Sequence, residues 1–213
     1  IRQKIEKKKK KVIPKLLDFE KIHNQKLMVY TALKRIGDAA SLKVTFGKMV
    51  IKIPNYYYLH GLASDNANYT KFKSTLTTAS SQIKESPIKQ VGLVGKTKEF
   101  TLYGALKTAE IKETKVNLIS KNSIRNYNRD LIDLAENLNV KVMDLKPKTP
   151  RVLHGYESHS FKLNVSGRYK DLAEFVKKLH DRQFPVGILQ LSVIPTEDQK
   201  MLSSFDIVYY TKR

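Results

Sequence analysis

The sequence predicts an α+β protein built as two tandem units of one plan, each running helix, strand, strand, helix, strand, strand around an antiparallel four-stranded sheet. Three observations lead there. Short runs of apolar residues alternate with polar ones, as in strands buried on one face; longer runs between them repeat every three or four residues, as on one face of a helix. The second half of the chain then repeats the first at a nearly constant offset, which sets the architecture.

Residues 1–21 form a basic lead-in, with Lys7 to Lys11 unbroken and Pro14 set against any helix entering there. A like-charge block of this kind is solvated, and it can bind phosphates or lipid headgroups. From Ile22 a helix is expected, because Ile22, Val29, Leu33, Ile36 and Ala40 recur at helical spacing, with Lys26 the one break in the seam. Leu42, Val44 and Phe46 alternate, then Met49, Ile51 and Ile53 do the same, and Pro54-Asn55 turns into the aromatic strand Tyr56 to His60. Gly61 falls near the end of that strand. Ser64 or Asp65 is the expected N-cap of a helix with Tyr69, Phe72, Leu76, Ala79 and Ile83 on one face. After Pro87, Ile88 to Val94 and Phe100 to Tyr103 read as two strands around a turn at Gly95.

Residues 107–122 are charged and poorly alternating, a linker. Ser123 is the expected N-cap of a second long helix, whose Ile124, Tyr127, Leu131, Leu134 and Leu138 are spaced three, four, three, four. The strand Val140 to Leu145 and the proline-bounded loop Lys146 to Pro150 follow. The closing segment reads as a strand with Phe161, Leu163 and Val165 ending at Gly167, a helix with Leu172, Phe175 and Leu179, and strands Val186 to Ile194 and Phe205 to Tyr210. Val44 answers Val142, Gly61 answers Gly167, Phe72 answers Phe175, Leu76 answers Leu179 and Phe100 answers Phe205, with offsets from 98 to 106. The units therefore span 22–106 and 123–213. Read cyclically, their element order is ferredoxin-like with its ends moved.

Composition limits the function. A formal charge of +20, from 40 Lys and Arg against 20 Asp and Glu, favours nucleic acid, anionic lipid or an acidic protein as partner. With no cysteine there is no disulfide, thiolate metal site or cysteine nucleophile. No run approaches the roughly 20 apolar residues that span a bilayer. A chain opening at Ile1 without methionine is expected to be a processed product or a soluble piece cut from a longer protein whose anchor has been removed.

Catalytic motifs fail on inspection. Val91 to Thr97, VGLVGKT, ends like a phosphate-binding loop, but the first glycine is replaced by Gln90 and a strand follows in place of a helix. His23, His60, His154, His159 and His180 are scattered, with no helical metal spacing. Asp130, Asp133 and Glu136 lie along one polar helix face, where pairing with neighbouring lysines and arginines is expected. The expectation is a non-enzymatic protein with no catalytic residue, no metal and no cofactor.

The stretch FKLNVSGRYKDLAEFVKKLHDRQFPVGILQLSVIP from Phe161 onward carries glycine, aromatic, Asp-Leu and Phe in the order Gly167, Tyr169, Asp171-Leu172 and Phe175. It resembles PilO. Tyr57 to Gly104, with Gly61-Leu62-Ala63-Ser64 before its helix, is similar to the PilN domain. The two are paired inner-membrane proteins of the type IV pilus alignment subcomplex, with relatives in type II secretion, here in tandem. The resemblance implies a structural or assembly role through protein–protein pairing on the periplasmic side of the bacterial inner membrane. Other proteins of the alignment subcomplex are the implied partners, in homo- or heterodimers. The expected contact surfaces are the lead-in helix faces, Val29, Leu33 and Ile36 in the first unit and Ile124, Tyr127, Leu131, Leu134 and Leu138 in the second, together with open sheet edges.

The alternative is a basic ferredoxin-like nucleic-acid-binding protein, with Tyr56, Tyr57 and Tyr58 as a stacking platform. Alternation points Tyr57 away from the other two, leaving at most two rings on one face, and the RNA-recognition consensus is absent from both units.

Overall fold

The structure, a computed structural model, describes residues 18–40, 43–86, 97–107, 116–153, 155–198 and 200–213. In chain order these hold α1 (Asp18–Asn24), α2 (Lys26–Ala39), β1 (Val44–Lys52), β2 (Tyr56–Ala63), α3 (Asn66–Ala79), β3 (Ser80–Glu85) and β4 (Lys98–Leu106). A short 3-10 turn, Lys121–Ser123, leads into α4 (Ile124–Glu136), β5 (Lys141–Pro147), β6 (Arg151–Leu153), β7 (Tyr156–Gly167), α5 (Tyr169–Asp181), β8 (Gly187–Pro195) and β9 (Met201–Lys212).

The expected α+β character holds, but the strands form one nine-stranded antiparallel sheet in place of two separate sheets of four. Its order is β3-β4-β2-β1-β8-β9-β7-β5, with β6 on β7 beyond the end of β5. The halves meet where β1 pairs with β8, Met49 opposite Val193 through Lys52 opposite Gln190. Within each half the neighbour order repeats: third strand, fourth, second, first. The hydrophobic core is likewise continuous, drawing on α2, α3, α4 and α5 together with the inward residues of both halves, such as Met49, Leu59, Phe100, Leu163, Leu191 and Phe205.

Several local expectations are corrected. The two short strands expected before Pro54 are one, β1, with a bulge between Phe46 and Lys48 that absorbs Gly47 and keeps Met49 and Ile51 facing the core. Leu42 lies outside the described residues. Gly61 sits inside β2, where an added Cβ would come 2.3 Å from the Thr45 carbonyl oxygen on β1, so the close strand approach needs glycine. Of the two candidate caps before α3, Asp65 is the one: its carboxylate accepts the Asn68 backbone N–H at 2.8 Å. That helix stops at Ala79, and Ile83 belongs to β3, whose ladder with β4 overrides the helical spacing. Ser123 makes no side-chain cap bond; the 3-10 turn enters α4 directly. The expected strand Ile88 to Val94 and the Gly95 turn lie outside the described residues.

The helices α2 to α5 cover one sheet face, whereas α1 takes the other. Phe19 packs against Tyr156 and Tyr210, ring centroids 5.2 and 5.8 Å away, and Ile22 lies against Gly187 and Val208. Between α1 and α2 the chain therefore passes around the beginning of β8.

Candidate functional site

All eight residues expected to face a partner are in the protein's own interior. Val29, Leu33, Ile36, Ile124, Leu131 and Leu134 are buried, and Tyr127 and Leu138 are half-buried and packed against the core. The α2 seam is an interface within the chain, joining the first half to α5 of the second. There the Tyr169 hydroxyl donates to the Leu33 carbonyl at 2.5 Å, and an alanine Cβ at Gly37 would stand 2.8 Å from the Tyr169 ring. A glycine in mid-helix is unfavourable on its own, and here it makes room for that ring. A partner reaches the six buried side chains only by opening the core.

The break in the seam, Lys26, is 1% exposed. Its amine donates to the Phe184 carbonyl and lies 3.1 Å from His23 Nε2, which is itself 2.8 Å from the same carbonyl. This cluster marks the place where the chain crosses from one sheet face to the other. Burial, with no carboxylate to offset it, pushes Lys26 down to about 7. Burial first, and then Lys26 and His180 nearby, push His23 down to about 4. The amine is sealed from solvent, so its role is structural.

The face of the first half that no helix covers among the described residues is the accessible site. β2 turns Tyr56, Tyr58, His60 and Leu62 outward, and in register Tyr58 stands opposite Tyr103 of β4 and Val50 of β1. The row continues to Lys84 of β3 opposite Tyr103. Tyr56, Tyr58 and Tyr103 are 54%, 37% and 42% exposed, so three rings share the face where alternation along β2 counted two. Lys48 and Lys52 flank them on β1, and neither these nor Lys84 makes an ion pair among the described residues. A groove of about 300 Å³ opens at this edge, lined by Tyr56, Tyr57, Gln82, Lys84, Tyr103 and Gly104.

The same face of the second half differs in chemistry. The row runs on through Ser192, Ser204 and Asn164 to Asp144, and two lysines there are paired: Lys146 with Asp144 at 3.0 Å and Lys148 with Asp206 at 2.7 Å. A larger groove, about 560 Å³, lies there between Lys148, Arg151, Ser158 and Tyr210. Among the remaining candidates, His60 bonds Thr101 and faces Glu99, and His159 is buried against Thr211 and Glu157. His154 and the motif from Val91 to Lys96 lie outside the described residues. Among the described residues no three His, Cys, Asp or Glu side chains gather as a metal site, and no helix is long and apolar enough to cross a membrane.

No protein-family model matches the chain, and no curated protein matches it. Among solved structures, it is similar to the type 4 fimbrial biogenesis protein PilO from Pseudomonas aeruginosa, at 18% identity and a TM-score of 0.40. The match covers 42% of this chain and 69% of that one.

Proposed function

We propose that the protein is a non-enzymatic structural or assembly component of a type IV pilus or a related secretion machine, acting by protein–protein pairing on the periplasmic side of the inner membrane. Each half is a ferredoxin-like unit with its ends moved, the first PilN-like and the second PilO-like. The observation that carries the reading is the edge-to-edge join of two like halves through β1 and β8, because pairing at exposed sheet edges is a general mode of protein–protein association. Among the described residues two sheet edges remain open, at β3 and β5. β5 carries Lys141, Lys146 and Pro147, residues that discourage strand addition, which leaves the six-residue β3 as the edge for a partner of the assembly, whether a second copy or a different protein.

The test is genetic and topological. Deleting the gene should abolish or sharply reduce surface pili or the secreted product. The protein should resist external protease in whole cells and be digested once the outer envelope is opened. Normal assembly in the deletion strain, or full protection after opening, would reject the proposal.

A further inference from the structure

We infer that the helix-free face formed by β3, β4, β2 and β1 binds a single-stranded nucleic acid, with bases stacking on Tyr56, Tyr58 and Tyr103 and phosphates held by Lys48, Lys52 and Lys84. The inference goes beyond the assembly role and does not rest on it. Residues two apart on a strand are about 6.7 Å apart, so Tyr56 and Tyr58 offer successive platforms along β2. Tyr103 widens the platform sideways, because the ladder sets it directly across from Tyr58. Aromatic rings accept any base through its π-face, and cations beside them follow the backbone. Gln82, lining the groove next to Tyr56 and Tyr103, supplies an amide for a base edge.

Two features favour this ligand over an acidic protein segment. β2 is paired on both sides, by β1 and β4, and β4 by β2 and β3, so an extended peptide laid over the rings finds no free backbone to pair with. Stacked bases need none. The cations around the rings also lack carboxylate partners among the described residues, whereas Lys146 and Lys148 on the same face of the second half have them.

The experiment measures fluorescence anisotropy of a labelled deoxythymidine dodecamer with the full chain across a salt series. Three phosphate contacts give a log–log salt slope of about −2. Tyr58→Ala and Tyr103→Ala should each weaken binding by about 10-fold, while Tyr58→Phe keeps the affinity because the ring remains. Lys84→Gln should make the slope shallower by about 0.7 with the stacking contribution intact. All three positions are at the surface, and an unchanged circular dichroism spectrum separates lost contacts from lost fold. No binding at physiological salt overturns the inference. So does binding indifferent to both tyrosine-to-alanine changes, which would be charge attraction alone. A labelled poly-glutamate peptide that binds as tightly and depends equally on Tyr58 also overturns it, in favour of an acidic protein partner.

Discussion

Replacing Lys26 with methionine should make the protein more stable, and the gain should depend on pH. The amine is enclosed where the chain crosses from α1 to α2, with the Phe184 carbonyl and the His23 ring as its hydrogen-bonding neighbours among the described residues. A lysine that titrates at 10.5 in the unfolded chain and at about 7 in the fold costs of order 5 kcal/mol when it must be charged. The unfolded chain holds the extra proton between those two values. Stability of the parent therefore rises with pH from about 7 to 10.5, and below that window the whole cost is present. His23 adds a rise of the same sign between about 4 and 6.5. Lys26→Met removes the charge and keeps the stem volume, at the expense of about 1–2 kcal/mol of hydrogen bonding, and Phe184 still has His23. About 3 kcal/mol of net gain remains near neutral pH, worth roughly 6–12 °C in Tm for a chain of this length. Urea unfolding followed by circular dichroism, repeated from neutral pH to about 10, measures both the gain and the slope. A variant less stable than its parent at neutral pH, with no rise in the parent's stability between pH 7 and 10, would show that the amine is charged and satisfied where it sits. The reasoning would then be wrong.

Three further outcomes are expected. Gly37→Ala should destabilise by about 1–3 kcal/mol despite alanine's better helix propensity, since its Cβ meets the Tyr169 ring at 2.8 Å; calorimetry should find a smaller loss when Tyr169 is also changed to leucine. Leu131→Asp should unfold the protein, as judged by circular dichroism, because it places an unpaired carboxylate at a fully buried position; a folded variant altered only in oligomeric state would contradict the burial of that seam. Tyr209→Phe should be neutral or stabilising by about 1 kcal/mol in chemical denaturation, because the buried Tyr209 hydroxyl has no hydrogen-bond partner among the described residues. A clear loss would reveal a partner for that hydroxyl.

The helices and the long strands were legible because their side chains carry the period. Leu172, Phe175 and Leu179 mark α5, and Leu163 and Val165 mark the inner face of β7. β3 was not legible: Ser-Ser-Gln-Ile-Lys-Glu buries only Ser80, and its strand character comes from the ladder to β4. The join of the two sheets was hidden for a related reason. Met49 and Ile51 of β1, like Leu191 and Val193 of β8, read as inward residues of any strand, and backbone pairing between them leaves no mark in side-chain pattern. The candidate face was half visible. Tyr56 and Tyr58 were found by alternation, but Tyr103 joins them only through the register of β2 with β4. Lys26 announced itself by interrupting an apolar seam, yet its partner Phe184 lies 158 residues away in the chain.

The join between β1 and β8 also has a mechanical meaning. It is a splice of four residue pairs in a sheet whose longest ladder, β7 with β9, has twelve. Tension along the strands loads all four pairs at once, in shear, with the α2 and α5 contact as backing. Tension across the strands opens the splice one pair at a time, against far less resistance. The direction of pull, more than its size, then decides whether the two halves hold together under load, and they should part at this line before either half unravels.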